Sequence, residues 1–208
     1  ILAAWSVSDV DAFNTSVSGY QEYLAVTPLP HVDASVVSLE AFFNFFGPFM
    51  KSIYLYLPVL LLSFFSWIVW PKTLRRTAFW LMALAFITHT VALLMRMYIS
   101  GRPPVTNLYS SAIFIGWAVV GASFLIERLL KNGIGTILGS SVGMATLMIA
   151  HYLAVDEGDT LGVMQAVLDT TFWLATHVVC ITLGYAATFL AGAMGIAYCV
   201  ISNFGAEK

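Results

Sequence analysis

The sequence predicts an all-α polytopic membrane protein: about five transmembrane helices preceded by an N-terminal interfacial helix. Three observations carry this expectation. Of 208 residues, 60% are hydrophobic and only 10% are charged, whereas a soluble domain is about half apolar and about a quarter charged. Mean hydropathy is +0.86. Five apolar stretches also reach the roughly 20 residues that carry a helix across a bilayer. Such a chain would bare apolar surface on every side in water, which excludes a soluble globule. The net charge of -2 provides no basic footprint for nucleic acid, so the expected surroundings are a lipid bilayer.

Residues 1–38 are mixed and polar, with Pro28 and Pro30 as breakers, and are expected to form an irregular water-facing segment on the outer side. The aromatic run Glu40-Ala-Phe-Phe-Asn-Phe-Phe-Gly-Pro48 is too short to span. It is read as an interfacial helix over 39–51, lying on the membrane and leading into the bundle of 52–208. The spans are expected at 52–70, 77–98, 108–130, 134–153 and 172–201. The chain opens on Ile rather than Met and is read as processed or as part of a longer protein.

Basic residues near helix ends set the orientation. Lys72, Arg75 and Arg76 lie between the first two spans, and Arg128 and Lys131 between the third and fourth; the connection before the last span holds Asp156, Glu157, Asp159 and Asp169. The basic loops and the C-terminus are therefore placed inside, and the N-terminal segment outside. Trp67, Trp70 and Trp80 then fall at inner boundaries, while Tyr54, Tyr98, Tyr109, Tyr152 and Trp173 fall at outer ones. The last span is about 30 residues, or roughly 45 Å of helix, so it must tilt or project. It carries small residues at four-residue spacing, Gly184, Thr188, Gly192 and Ala187, Ala191, Gly195, a pattern that lets helices approach closely in lipid. Cys180 and Cys199 lie roughly 28 Å apart on that helix, beyond disulfide reach.

Few polar groups lie within the spans, so each is weighed. His31 reads as a surface histidine and His151 as an interfacial one. His89 lies near the middle of the second span, where an unpartnered imidazole is costly and a neutral one is a good metal ligand. Arg96 is seven residues on, on the same face and roughly 10.5 Å further out. Two readings stand: a haem with iron on His89 and propionates towards Arg96, or a structural histidine with Arg96 snorkelling to the surface. His177 opens the last span, four residues after Trp173, which could wall a flat ligand or simply anchor at the interface. Between the second and third spans, Pro103 and Pro104 stop helix continuation, Thr106 or Asn107 can cap the next helix, and Phe114 and Trp117 share a face. No Ser-His-Asp set, phosphate-binding loop or paired intramembrane carboxylate is present.

The stretch Arg102-Pro-Pro-Val-Thr-Asn107-Leu-Tyr109-Ser-Ser-Ala-Ile-Phe114-Ile-Gly-Trp117 resembles the signature of the CcsA/ResC family of cytochrome c biogenesis proteins, approximately F-P-L-S-N-L-Y-E-S-L-x-F-L-x-W. Pro104, Asn107, Leu108, Tyr109, Ser111, Phe114 and Trp117 match, and Ser110 stands where the family usually has Glu. Phe172-Trp173-Leu174-Ala-Thr-His177-Val178, followed by Gly184-Tyr185-Ala186-Ala187, resembles the segment carrying the first of two outer histidines beside a tryptophan-rich haem-binding loop. Glu40, Asn44 and Pro48 are similar, less specifically, to the lead-in helix of CcsB-CcsA fusion proteins.

The resemblance implies haem b delivered to the outer face and attached there to the CxxCH thiols of an apocytochrome c, as in a system II cytochrome c synthase. His177 is then the first outer haem ligand and His89 a candidate transmembrane ligand, with Arg96 and Trp173 completing the cofactor-binding set. A CcsB/ResB-type partner or fused region and thiol-reducing proteins are implied, in a bacterial cytoplasmic or thylakoid-like membrane with His177 on the outer side. No tryptophan-rich loop or second outer histidine follows His177 in these residues. The chain is therefore expected to be the N-terminal part of the synthase core, with haem-attaching activity only in a longer chain or complex. The alternatives are a stand-alone haem-holding subunit without ligation activity and a small-solute transporter using His89 and Arg96.

Overall fold

A computed structural model of the protein describes residues 2–27, 33–157 and 172–205. Pro28, Pro30, His31, Asp159 and Asp169, to which the sequence assigns roles, lie outside the described residues. Eight helices are seen among those described: α1 (Leu2–Ser6), α2 (Val10–Val26), α3 (Ala34–Phe46), α4 (Pro48–Phe65), α5 (Pro71–Ser100), α6 (Leu108–Leu130), α7 (Ile134–Glu157) and α8 (Phe172–Gly205). No strand occurs among the described residues.

In the N-terminal unit, residues 1–41, the described residues are mostly helical, where an irregular segment is expected from the sequence. Asp9 starts α2 by accepting the Ala12 amide at 3.0 Å, which satisfies one of the unpaired donors of the first turn. Asp33 does the same for α3, accepting the Ser35 amide at 2.8 Å and its hydroxyl at 2.7 Å. These side-chain caps, rather than apolar periodicity, set both helix starts.

The second unit, residues 42–208, holds the bundle. Five stretches are long and apolar enough to cross a membrane: Ala34–Phe65, Pro71–Ser100, Leu108–Leu130, Ile134–Asp156 and Ala175–Cys199. The protein is an all-α polytopic membrane protein. The starts of α4 and α5 are set by backbone geometry. Gly47 is left-handed at φ 55° ahead of Pro48, so the segment expected as one helix over 39–51 is broken there. Glycine adopts that conformation without steric cost and proline suits the first helical turn. Trp70 is also left-handed before Pro71, so α5 starts six residues earlier than the apolar pattern indicates, and turns over 66–69 separate it from α4.

Helix α6 packs chiefly on α7, α4 packs on α5 and α7, and α8 lies along α6. The bundle is closed at one end by its loops. Trp67 donates to the Asn132 carbonyl at 3.0 Å, and Arg75 donates to the Lys131 carbonyl. Glu127 is buried and accepts the Gly133 and Thr136 amides at 3.0 and 3.4 Å, capping α7. Several interior hydroxyls are satisfied within their own helix: Ser52 bonds back to the Pro48 carbonyl and Ser123 to that of Val119. Large apolar side chains such as Leu84, Ile87, Leu94 and Leu125 point outward.

The closest helix approach is between α6 and α7. A Cβ built on Gly135, Gly139 or Gly143 would collide with Glu127, Ser123 or Val120 respectively. The small-residue stripe of α8 behaves differently. A Cβ on Gly184, Gly192 or Gly195 meets nothing within 4 Å, so that stripe makes no close packing here; α8 instead buries Thr182 and Ala186 and sets Val178 and Val179 against the core.

Candidate functional site

His89, in the middle of α5, is 0% exposed. Its Nδ1 lies 3.2 Å from the hydroxyl of Tyr56 on α4, and the ring of Phe49 meets it edge-on at 5.9 Å. On the other side the Ile113 carbonyl of α6 faces the ring, but Nε2 completes no hydrogen bond of ordinary geometry. A buried imidazole nitrogen without a partner is costly. In the tautomer with Nδ1–H donating to Tyr56 the Nε2 lone pair is available to a ligand; in the other, Nδ1 accepts from the Tyr56 hydroxyl and Nε2–H points at the Ile113 carbonyl.

Arg96, two turns on, is 8% exposed and so does not snorkel. Its guanidinium lies over the ring of Tyr109, 4.7 Å from the centroid. Tyr109, expected from the sequence at a span boundary, lies in the first turn of α6 and is buried in the bundle, its ring in a cation–π contact with Arg96. The ring of Phe49 is 6.5 Å from that of Tyr109, so Phe49 bridges the Arg96–Tyr109 pair to the His89–Tyr56 pair. Arg96 also lines a narrow crevice with Arg102, Ser100, Thr106, Ser110 and Ile113. Nearby, Trp117 donates to the Thr90 hydroxyl at 2.9 Å and stacks on Phe86 and Phe114.

The other two expected site residues stand apart. His177 is exposed on α8 and makes no hydrogen bond or ring contact among the described residues. Trp173 lies in the first turn of the same helix, its side chain outside the description. His151, read from sequence as merely interfacial, lines a cleft of about 320 Å³ with Asn44, Phe49 and Tyr109. Sequence reasoning missed Tyr56, Phe49 and Tyr109. A tyrosine inside an apolar span was the available signal for Tyr56.

By its chemistry His89 would suit a haem-iron ligand through Nε2, with Nδ1 held by Tyr56. The space around it is closed: no described cavity is lined by His89. A porphyrin face across Nε2 requires Phe49 or the adjoining part of α6 to move aside. Among the described residues no three of His, Cys, Asp or Glu converge on a metal-sized site.

No protein-family model matches the chain. It is 28% identical over 120 residues to the cytochrome c biogenesis protein CcsA of a Synechococcus species, covering 58% of this chain and 39% of that protein. The CcsA of a Synechocystis species is 26% identical over 171 residues, covering 81% of this chain and 49% of the relative. That of Parasynechococcus marenigrum is 29% identical over 117 residues, covering 56% and 38%. Its curated relatives are CcsA-type cytochrome c biogenesis proteins. The chain spans less than half the length of the CcsA proteins it matches here.

The CcsA-like pattern gains a physical explanation at Ser110. Asn107 is the N-cap of α6, accepting the Ser110 amide at 2.8 Å, and the Ser110 hydroxyl accepts the Asn107 amide at 2.9 Å. Such a capping box usually carries Glu at this third position, the residue in the CcsA-like pattern. Serine does the same work here, so the departure leaves the turn intact.

Proposed function

We propose that the chain acts in cytochrome c maturation as the N-terminal part of a CcsA-type protein that delivers haem b and attaches it to apocytochrome c at the outer face of the membrane. The similarity to CcsA proteins and the Asn107–Trp117 motif support the process. The geometry adds one observation: Tyr56 holds Nδ1 of the buried His89, while Nε2 completes no hydrogen bond of ordinary geometry. His177, exposed on α8, is the outer ligand in this reading, with Trp173 one turn earlier on the helix. His89 is the ligand within the membrane, steadied by Tyr56, and Arg96 supplies positive charge for propionates. Bound haem supplies the vinyl groups to which the reduced CxxCH thiols add. A CcsB/ResB-type region and thiol-reducing proteins complete the system.

The test is the visible spectrum of the chain purified from haem-replete membranes. Haem of b type should co-purify, with less retained in His177→Ala and in His89→Ala. Tyr56→Phe should keep the haem but shift its reduction potential, because the hydrogen bond that tunes the ligand is gone. Haem content unchanged in both histidine variants removes them as ligands.

A further inference from the structure

At the end of the bundle where α5 begins and α6 finishes lies an open cleft of about 500 Å³. Five cations line it: Lys72, Arg75 and Arg76 from α5, Arg128 from α6 and Lys131 from the loop that follows. Its one lining carboxylate, Glu127, is committed to the Gly133 and Thr136 amides. Arg75 is committed to the Lys131 carbonyl. Lys72, Arg76, Arg128 and Lys131 are all exposed, so four positive charges face a common space that nothing in the cleft neutralises.

The floor is apolar. Phe79 and Phe124 meet edge to face at 5.4 Å, and the exposed Leu125 continues the lining along α6 towards the bilayer. Exposed Trp70, just before α5, and Trp80 on α5 mark the depth at which aromatic side chains meet headgroups. A basic rim over an apolar floor at headgroup depth is complementary to an amphiphilic anion, and basic pockets between membrane helices bind acidic headgroups.

We propose that this cleft binds one anionic phospholipid, its phosphate held by Arg76, Arg128 and Lys131 and an acyl chain lying on Phe124 and Leu125. A free inorganic anion would use the rim and leave the floor bare. A bound lipid would hold the starts and ends of α5 and α6 together, on the end opposite the His89–Arg96 cluster's polar crevice, and it does not depend on the haem reading.

The experiment reconstitutes the full chain into vesicles of equal parts phosphatidylcholine and phosphatidylglycerol, then counts retained lipids by native mass spectrometry. One phosphatidylglycerol per chain should remain. Arg76→Gln with Arg128→Gln should weaken its binding by about thirtyfold, from two charges removed beside a phosphate. Both side chains are exposed, and unchanged melting of the double variant in pure phosphatidylcholine checks that it folds. Lys51→Gln, which removes an exposed charge lying over Phe46, should leave retention unchanged. The proposal is overturned by retention equal in the double variant, by equal retention of phosphatidylcholine, or by an equal loss in Lys51→Gln. Displacement by inorganic phosphate overturns it in favour of a simple anion site. A haem absorbance band lost in the double variant without any lipid mass overturns it in favour of haem.

Discussion

Gly135→Ala is the substitution whose cost the structure fixes most directly. A Cβ at this position would lie 2.5 Å from the Glu127 amide nitrogen, 2.7 Å from Glu127 Cβ and 2.7 Å from the Ser123 carbonyl oxygen. Two of these three atoms are backbone and cannot rotate away, so α7 must back off from α6. That movement also stretches the Gly133 amide from Glu127, now at 3.0 Å. Overpacking of this kind costs about 1–3 kcal/mol. Alanine also gains about 1 kcal/mol of helix propensity over glycine, which must be separated out. Gly192→Ala does so: it makes the same chemical change on α8, where the new Cβ meets nothing within 4 Å. The difference between the two variants should therefore equal the packing cost alone. At about 2–4 °C per kcal/mol for a chain of this size, Gly135→Ala should melt roughly 2–12 °C below Gly192→Ala in the same detergent, followed by circular dichroism. Melting within about 1 °C of each other would refute a close α6–α7 contact at this glycine.

Two further outcomes follow from the caps. Asn107→Ala should cost about 1 kcal/mol by removing the acceptor of the Ser110 amide, while Ser110→Glu should stay near the parent because glutamate serves the same third position. A larger loss in Ser110→Glu than in Asn107→Ala would count against the capping explanation. The Ser35 hydroxyl, and then its amide, hold the Asp33 carboxyl below its ordinary 3.8. A depressed folded-state value means the cap is at full strength above about pH 4 and fades as pH falls through the lowered value. The Ser35 amide shift, followed by NMR against pH, should titrate below 3.8, and a midpoint at or above it would contradict the cap.

Much of the architecture was legible because it is local. Helices in a bilayer must satisfy their own backbone, so apolar length alone marks α5, α6 and α7. The α6 start was legible as Thr106 or Asn107, and the structure selects Asn107. The ends of α4 and the N-terminal helices were less legible, since Gly47, Trp70, Asp9 and Asp33 act through backbone geometry and single hydrogen bonds rather than periodicity. Within the candidate site, His89 and Arg96 were visible as polar residues on one face of an apolar helix. Tyr56 and Phe49 were not, because their roles exist only when α4 lies against α5.

Taken alone, the sequence determined the bilayer as solvent, the all-α class, the basic end of the bundle and the CcsA-like turn before α6. Each follows from composition or from contacts within a few residues. Only the tertiary structure decided that the small-residue stripe of α8 stays open while glycines of α7 are packed, that Arg96 turns in over Tyr109 instead of out to water, and that His89 is sealed beside Tyr56. Small residues, arginine and histidine are each compatible with a lipid-facing or a protein-facing place. In a chain where both surroundings are apolar, hydropathy cannot tell them apart, and the choice falls to which helix lies alongside.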